Sequence, residues 1–150
     1  MRRAIALSRS GMEGGAGGPF GAVVVLDGKV VAEGWNQVTS ANDPTAHAEV
    51  VAIRRACAAL RRFELSGAVL YTSCEPCPMC LSAAYWARLD AVFYANARED
   101  AAAIGFDDAF LYAEVPKPVE QRSLPMRRLL AAEALEVFEA WAAKPDKVPY

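Results

Sequence analysis

The stretch Phe20-Gly21-Ala22-Val23-Val24-Val25-Leu26-Asp27-Gly28-Lys29-Val30-Val31-Ala32-Glu33-Gly34-Trp35 decides the fold. Two β-branched runs flank Asp27-Gly28, a dipeptide suited to a two-residue hairpin turn, so residues 20–26 and 29–35 are expected to pair antiparallel. Upstream, residues 2–12 carry Ile5, Leu7 and Met12 at helical spacing and are broken by paired glycines at 14–15 and 17–18, which predicts a short first helix. Downstream, residues 36–45 are polar and turn-rich, with Asp43-Pro44 as a boundary. Residues 46–62 then place Val50, Val51, Ile53, Ala56, Cys57 and Leu60 on one helical face. Residues 68–73 read as a buried strand, residues 79–89 as a helix with Pro78 at its first position, and residues 91–94 as a short strand. Helix and strand alternating after a hairpin predict an α/β fold: a three-layer α/β/α sandwich around a mixed sheet of about five strands. Beyond it, residues 99–104 are expected to be a short helix, 105–108 a loop and 109–112 a turn or strand. Pro116 and Pro118 mark an extended connector, and residues 126–143 a helix ended by the proline-containing tail.

A chain of 150 residues, 54% hydrophobic and 23% charged, fits one globular domain spanning 1–150. A domain of that size holds together without disulfides or metal, so any metal serves chemistry. A net charge of −2 argues against a surface built to grip phosphate backbones and favours a small neutral ligand. No apolar run reaches the length of a membrane span, and the N-terminus turns polar at Ser8-Arg9-Ser10-Gly11 before a secretory segment forms; a cytoplasmic protein is expected. The cysteines are Cys57, Cys74, Cys77 and Cys80, three of them within seven residues. That clustering suits metal or redox chemistry better than a disulfide framework.

The chemistry-bearing pattern joins His47, the only histidine, and Glu49 two residues on, to Pro76-Cys77-Pro78-Met79-Cys80. It resembles the His-x-Glu and Pro-Cys-x-x-Cys signature of zinc deaminases. An isolated histidine at a helix start is more often a half-buried or capping residue, but one imidazole and two thiolates meet the three-ligand count of a catalytic zinc site with an open fourth position. Cys74 and Cys77 share the spacing of Cys77 and Cys80. Cys74 ends a strand, whereas Cys77 can cap the next helix and Cys80 falls in its first turn, so His47, Cys77 and Cys80 are taken as ligands of one Zn2+ ion. Cys74 and Cys57 are then packing residues. Two thiolates neutralise the metal formally, so its water wants a neighbouring base. Glu49, which could otherwise merely favour a helix N-terminus, is the expected proton shuttle.

Beyond this motif, Gly-Gly-Pro-Phe at 17–20, Asn-Asp-Pro-Thr-Ala-His-Ala-Glu at 42–49, Thr-Ser-Cys-Glu-Pro-Cys-Pro-Met-Cys at 72–80, Gly-Phe-Asp-Asp at 105–108 and the terminal Tyr150 resemble the bacterial guanine deaminases of the cytidine deaminase-like superfamily. The resemblance covers nearly the whole chain. It implies hydrolysis of guanine to xanthine and ammonia, with a zinc-bound hydroxide as nucleophile. It also implies that Asn36 hydrogen-bonds the base, that Phe20 supplies an aromatic wall, and that Asp108 contacts the substrate and assists the departing amine. Tyr150 is implied to close the pocket, commonly from a partner subunit through exchange of a C-terminal segment of about residues 116–150, and hence a homodimer. Asp107 is a turn former.

Three rivals stay open at this point. A tRNA adenosine deaminase shares the zinc motif, but here Arg122, Arg127, Arg128, Lys144 and Lys147 are scattered among Glu133, Glu136 and Glu139. A deaminase of cytosine or of a guanine-like triazine differs only in its pocket. A structural zinc module, completed by Cys74, or a thiol redox protein would leave Glu49 and Asp108 without a task.

Overall fold

A computed structural model describes residues 1–149; Tyr150 lies outside the described residues. The chain forms two compact units, residues 1–109 and 110–150.

The first unit is built on the hairpin. Strand β1 (Gly21–Leu26) pairs antiparallel with β2 (Lys29–Trp35), and Asp27 and Gly28 both adopt positive φ at the turn, as the tight hairpin geometry requires. A register shift between Val24 and Val25 marks a bulge. β1 also pairs antiparallel with β3 (Ala68–Cys74), which pairs parallel with β4 (Ala91–Asn96), giving the order β2-β1-β3-β4. The sheet is mixed as expected. It has four strands among the described residues, not about five, because the segment after β4 turns into helix.

Alternation along β1 sends successive side chains to two different helices. Val23 and Val25, with Trp35, pack against Ala4 and Leu7 of α1 (Arg2–Glu13). Ala22 and Val24, with Leu70, face Ala48, Ala52, Ile53 and Ala56 of α3 (Ala48–Leu60). The layers lie close: a Cβ at Gly21 would collide with the Ala4 carbonyl oxygen, and one at Gly34 with the Ala48 carbonyl oxygen. Alanine on α3 and glycine on the strands are therefore one feature, the small-residue contact that brings helix backbone down onto sheet backbone.

α4 (Pro78–Trp86) is the crossover between the parallel strands, with Pro78 at its first turn. Its observed end precedes the expected one by three residues. The polar 36–45 segment contains a short helix, α2 (Val38–Ala41), closed by Asn42 in the left-handed region. α5 (Arg98–Ala103) follows β4, and residues 109–112, expected as turn or strand, begin a helix, α6 (Ala109–Glu114).

In the second unit, Glu114 accepts hydrogen bonds from the Ser123 backbone N–H and hydroxyl and pairs with Lys117, while Arg122 donates to the Val115 and Lys117 carbonyls. The long helix α7 spans Ala131–Ala143, starting five residues later than its apolar pattern because Leu130 takes a left-handed conformation ahead of it. No described residue from 110 to 149 is buried.

Topology gathers the chemistry-bearing residues at one end of the sheet. β1 begins where β2 ends, with Gly21 opposite Trp35, and the Gly21 N–H donates to the Ser73 hydroxyl near the end of β3. Phe20, Asn36, Cys74 and Asn96 therefore emerge together.

Gly34→Ala should test how tightly α3 is held. The added methyl meets backbone, which cannot swing aside, so the stability lost should be about 1–3 kcal/mol or more, read as a lowered urea midpoint.

Candidate active site

The site is built from two helix N-termini. His47 is the N-cap of α3 and Cys77 the N-cap of α4, both with extended backbone, and neither uses its side chain to cap the helix. Imidazole and thiol are thus free for another partner, and the positive ends of both helices favour a thiolate between them. The approach to His47 is held locally. Asp43 accepts from the Thr45 N–H and hydroxyl, and the Gln37 N–H donates to the Ala46 carbonyl, tying the His47 segment to the end of β2. The Glu75 N–H donates to the Asn96 carbonyl and carries the β3–β4 pairing on toward Cys77.

His47 Nδ1 lies 3.6 Å from Cys77 Sγ and 3.5 Å from Cys80 Sγ. Tetrahedral zinc with Zn–S of about 2.3 Å and Zn–N of about 2.0 Å requires an N···S edge of about 3.5 Å. The three ligand atoms lie within 4.8 Å of one another, and the donor set fits one zinc ion bound through Nδ1 and two sulfurs. The two thiols are strongly coupled. Cys77 is drawn down to about 4, chiefly by the hydrogen bond from Cys80 and then by His47, while Cys80 is pushed up by sharing its proton with Cys77 and by burial. His47 is raised by its contact with Cys77. One anionic sulfur is therefore ready for a cation, and the second loses its proton when a metal binds.

Cys74 is not part of the cluster. It is buried, its Sγ lies 3.7 Å from the Ala97 carbonyl oxygen, and burial pushes its thiol up to about 11. Cys57 packs, half-buried, against the core.

Glu49, in the first turn of α3, is only 5% exposed, so the carboxylate is enclosed although it stands at a helix start. Burial raises its pKa, against hydrogen bonds from Thr72 and Cys80 that lower it. A carboxylate whose affinity for a proton is raised beside the metal ligands suits general acid–base work.

Asn36 is buried, and its Oδ1 accepts from the Gly18 and Val38 N–H groups at 3.3 and 3.2 Å. Those two donors fix the amide's orientation and leave Nδ2 to act as a donor elsewhere. A Cβ at Gly17 would collide with Asn36 Oδ1, which explains the glycine there. Phe20 meets Phe106 edge to face, 4.9 Å between centroids, and Gly18 leaves room for both rings. Phe106 belongs to the 105–108 segment, so this contact secures the loop that carries Asp108. Asp108 is half-buried, its pKa raised first by burial and then by the negative charge of Cys77; Asp107 is exposed and accepts from the Ala109 N–H as a turn former. Tyr150 lies outside the described residues. Sequence reasoning missed Phe106 and Thr72; the first could be found in the Gly-Phe-Asp-Asp run, while the second has no motif and shows itself only as a hydroxyl in a buried strand.

A His-Cys-Cys cluster that could hold zinc, with an enclosed carboxylate, at the end of a mixed sheet sandwiched by helices, defines a hydrolytic deaminase. Residues 1–96 match the family described as the cytidine and deoxycytidylate deaminase zinc-binding region, and the chain belongs to that family. It is 54% identical over all 150 residues to the guanine deaminase of Bacillus subtilis strain 168, covering 96% of that protein. The X-ray structure of guanine deaminase from Bacillus subtilis superposes with a TM-score of 0.96 over 99% of this chain and 95% of that one. A guanine deaminase structure from Nitrosomonas europaea, 31% identical, gives a TM-score of 0.67 over 79% of this chain and 65% of that one. A tRNA-specific adenosine deaminase of Agrobacterium fabrum is 50% identical, but over 76 residues, 51% of this chain and 50% of that protein.

Cys77→Ser and Cys80→Ser should each lose bound zinc, whereas Cys74→Ser should keep about one zinc per chain, as measured by mass spectrometry of the metal content. Zinc loss in the Cys74 variant would make it a fourth ligand and the site structural.

Proposed function

We infer that this protein hydrolyses guanine to xanthine and ammonia with one zinc ion per chain. The observation that carries the reading is a three-ligand zinc set beside a buried carboxylate, in a chain that matches a guanine deaminase from end to end. The match to the tRNA-specific adenosine deaminase of Agrobacterium fabrum covers 51% of this chain, against all of it for the guanine deaminase.

When bound, zinc supplies Lewis acidity that activates a water for attack on the amine-bearing ring carbon. The chain's residues do the rest. His47, Cys77 and Cys80 hold the ion. Glu49 takes the two protons of the attacking water in turn and delivers one to the ring nitrogen and the other to the leaving amine, each transfer contributing about 10²- to 10⁴-fold in rate. Asn36 Nδ2 donates to an acceptor on the base. Phe20, with Phe106, forms an aromatic wall, and Asp108 contacts the departing amine. Residues 1–150 act as one deaminase domain whose C-terminal segment, about 116–150, exchanges between two copies so that Tyr150 closes the partner's pocket. Support for a homodimer is the apolar surface of that segment: Leu129, Val137 and Phe138 are 79%, 67% and 73% exposed, more than a lone chain usually leaves in water. Four free thiols fit a reducing, cytoplasmic setting, and among the described residues no helix is long and apolar enough to cross a membrane.

Ammonia release from guanine should be rapid, with adenine, cytosine and a guanine-like triazine as comparisons and labelled tRNA scored for inosine. Glu49→Gln should keep zinc and fold and lose about 10²-fold or more of turnover, because the amide keeps the shape but cannot carry the proton. Unchanged turnover in that variant would exclude the role. Deleting residues 148–150 should reduce activity far more than thermal stability, and light scattering should report a dimer.

A further inference from the structure

The face of β3 beneath α3 carries Ala68, Leu70, Thr72 and Cys74, of which the first three have no exposed surface and the fourth has 5%. Their neighbours Ala22, Val24, Ala52 and Ile53 are apolar. Alternation calls for an aliphatic residue at position 72, and valine would fill the same volume. A hydroxyl sealed in such a layer is costly unless it is hydrogen-bonded. Thr72 Oγ1 donates to Glu49 Oε1 at 2.6 Å, the length of a charge-assisted O–H···O bond. The adjacent hydroxyl behaves differently: Ser73 faces the other way and accepts the Gly21 N–H, a contact that only closes the end of the sheet.

We propose that Thr72 is a positioning residue for the reaction, its hydroxyl clamping one oxygen of Glu49 so that the carboxylate plane is fixed and Oε2 is left to exchange protons. This rests on the reading of Glu49 as proton carrier. Thr72 is rigid on three counts: it is β-branched, it lies in a strand paired on both sides, and it is fully enclosed. Glu49 is anchored in the first turn of α3, so the bond ties helix to sheet at the residue that must serve several atoms in turn. A proton shuttle that takes from water and gives to two different atoms works best if it returns to one place after each transfer, because small misplacements cost rate steeply. The clamp persists in both states, since Oε1 still accepts from the hydroxyl, though more weakly, when Oε2 carries the proton.

Thr72→Val removes the hydroxyl and keeps the shape; Thr72→Ser keeps the hydroxyl and removes a methyl. In the zinc-loaded protein, Thr72→Val should lower kcat for guanine about tenfold to a hundredfold with KM within about threefold of the parent, and Thr72→Ser should recover kcat to within about threefold. Zinc content and calorimetric affinity for xanthine should stay at parental values in both, because the clamp acts on proton transfer and not on binding. A kcat within about twofold of the parent in Thr72→Val, a loss that serine fails to recover, or a loss that follows zinc or xanthine binding would each overturn the proposal. If the valine variant does not fold, Thr72→Ala against Thr72→Ser decides, since both lack the methyl and only serine keeps the hydroxyl; equal kcat overturns it. Glu49→Gln run in parallel separates the two readings. An active Glu49→Gln removes the role of Glu49 and this proposal with it, whereas an inactive Glu49→Gln beside a fully active Thr72→Val removes only the clamp.

Discussion

The approach of α3 to the hairpin over Gly34 is the contact on which the rest of the first unit depends. A side chain at Gly34 would run into the Ala48 carbonyl and lie 2.7 Å from the Ala52 nitrogen, so the helix backbone rests almost directly on the strand. That closeness sets the height of the α3 N-terminus above the end of the sheet, and with it the reach of His47 and Glu49. Alanine at 48, 52 and 56 continues the same surface. A larger residue in that row would lift the helix, because close-packed layers transmit displacement and do not absorb it.

Charge is handled at the site by enclosure and by opposed dipoles. Two helix N-termini converge on the sulfurs and stabilise a thiolate at Cys77, while Cys80 keeps its proton by sharing it. Glu49 sits in the same enclosure, and burial pulls it toward the protonated form. The cluster therefore sets a group that readily binds a cation beside a group that readily holds a proton, the two properties that hydrolysis of an amine-bearing ring requires. Asn36 is preorganised in another way, by backbone donors that occupy its oxygen and fix which end of the amide can meet a base.

Much of this was legible in the residues. Asp27-Gly28 announced the hairpin because the turn demands positive φ at both positions, and the structure has it. Pro78 marked a helix start because its missing N–H costs nothing there. The 36–45 and 109–112 segments were read less well: α2 and the start of α6 are each little more than one turn, too short for periodicity to register. The start of α7 was placed too early because leucines continue the apolar pattern back through residues that are not helical. That four strands and not about five stand among the described residues has the same origin, since a count of strands depends on a stretch where local signals are weak.

The sequence by itself determined most of the element types and the spacing of the His, Cys and Cys side chains that could hold zinc, because hairpin turns, helix starts and thiolate–imidazole chemistry are local properties of a few residues. Tertiary structure alone decided that Glu49 is enclosed, that the Asn36 amide is held oxygen-inward, that Phe106 secures the Asp108 loop against Phe20, and that Thr72 bonds Glu49. Each of these joins residues far apart in the chain, and each depends on distances set by how closely helix and sheet pack. No spacing along a sequence encodes such distances; the small residues between the layers do.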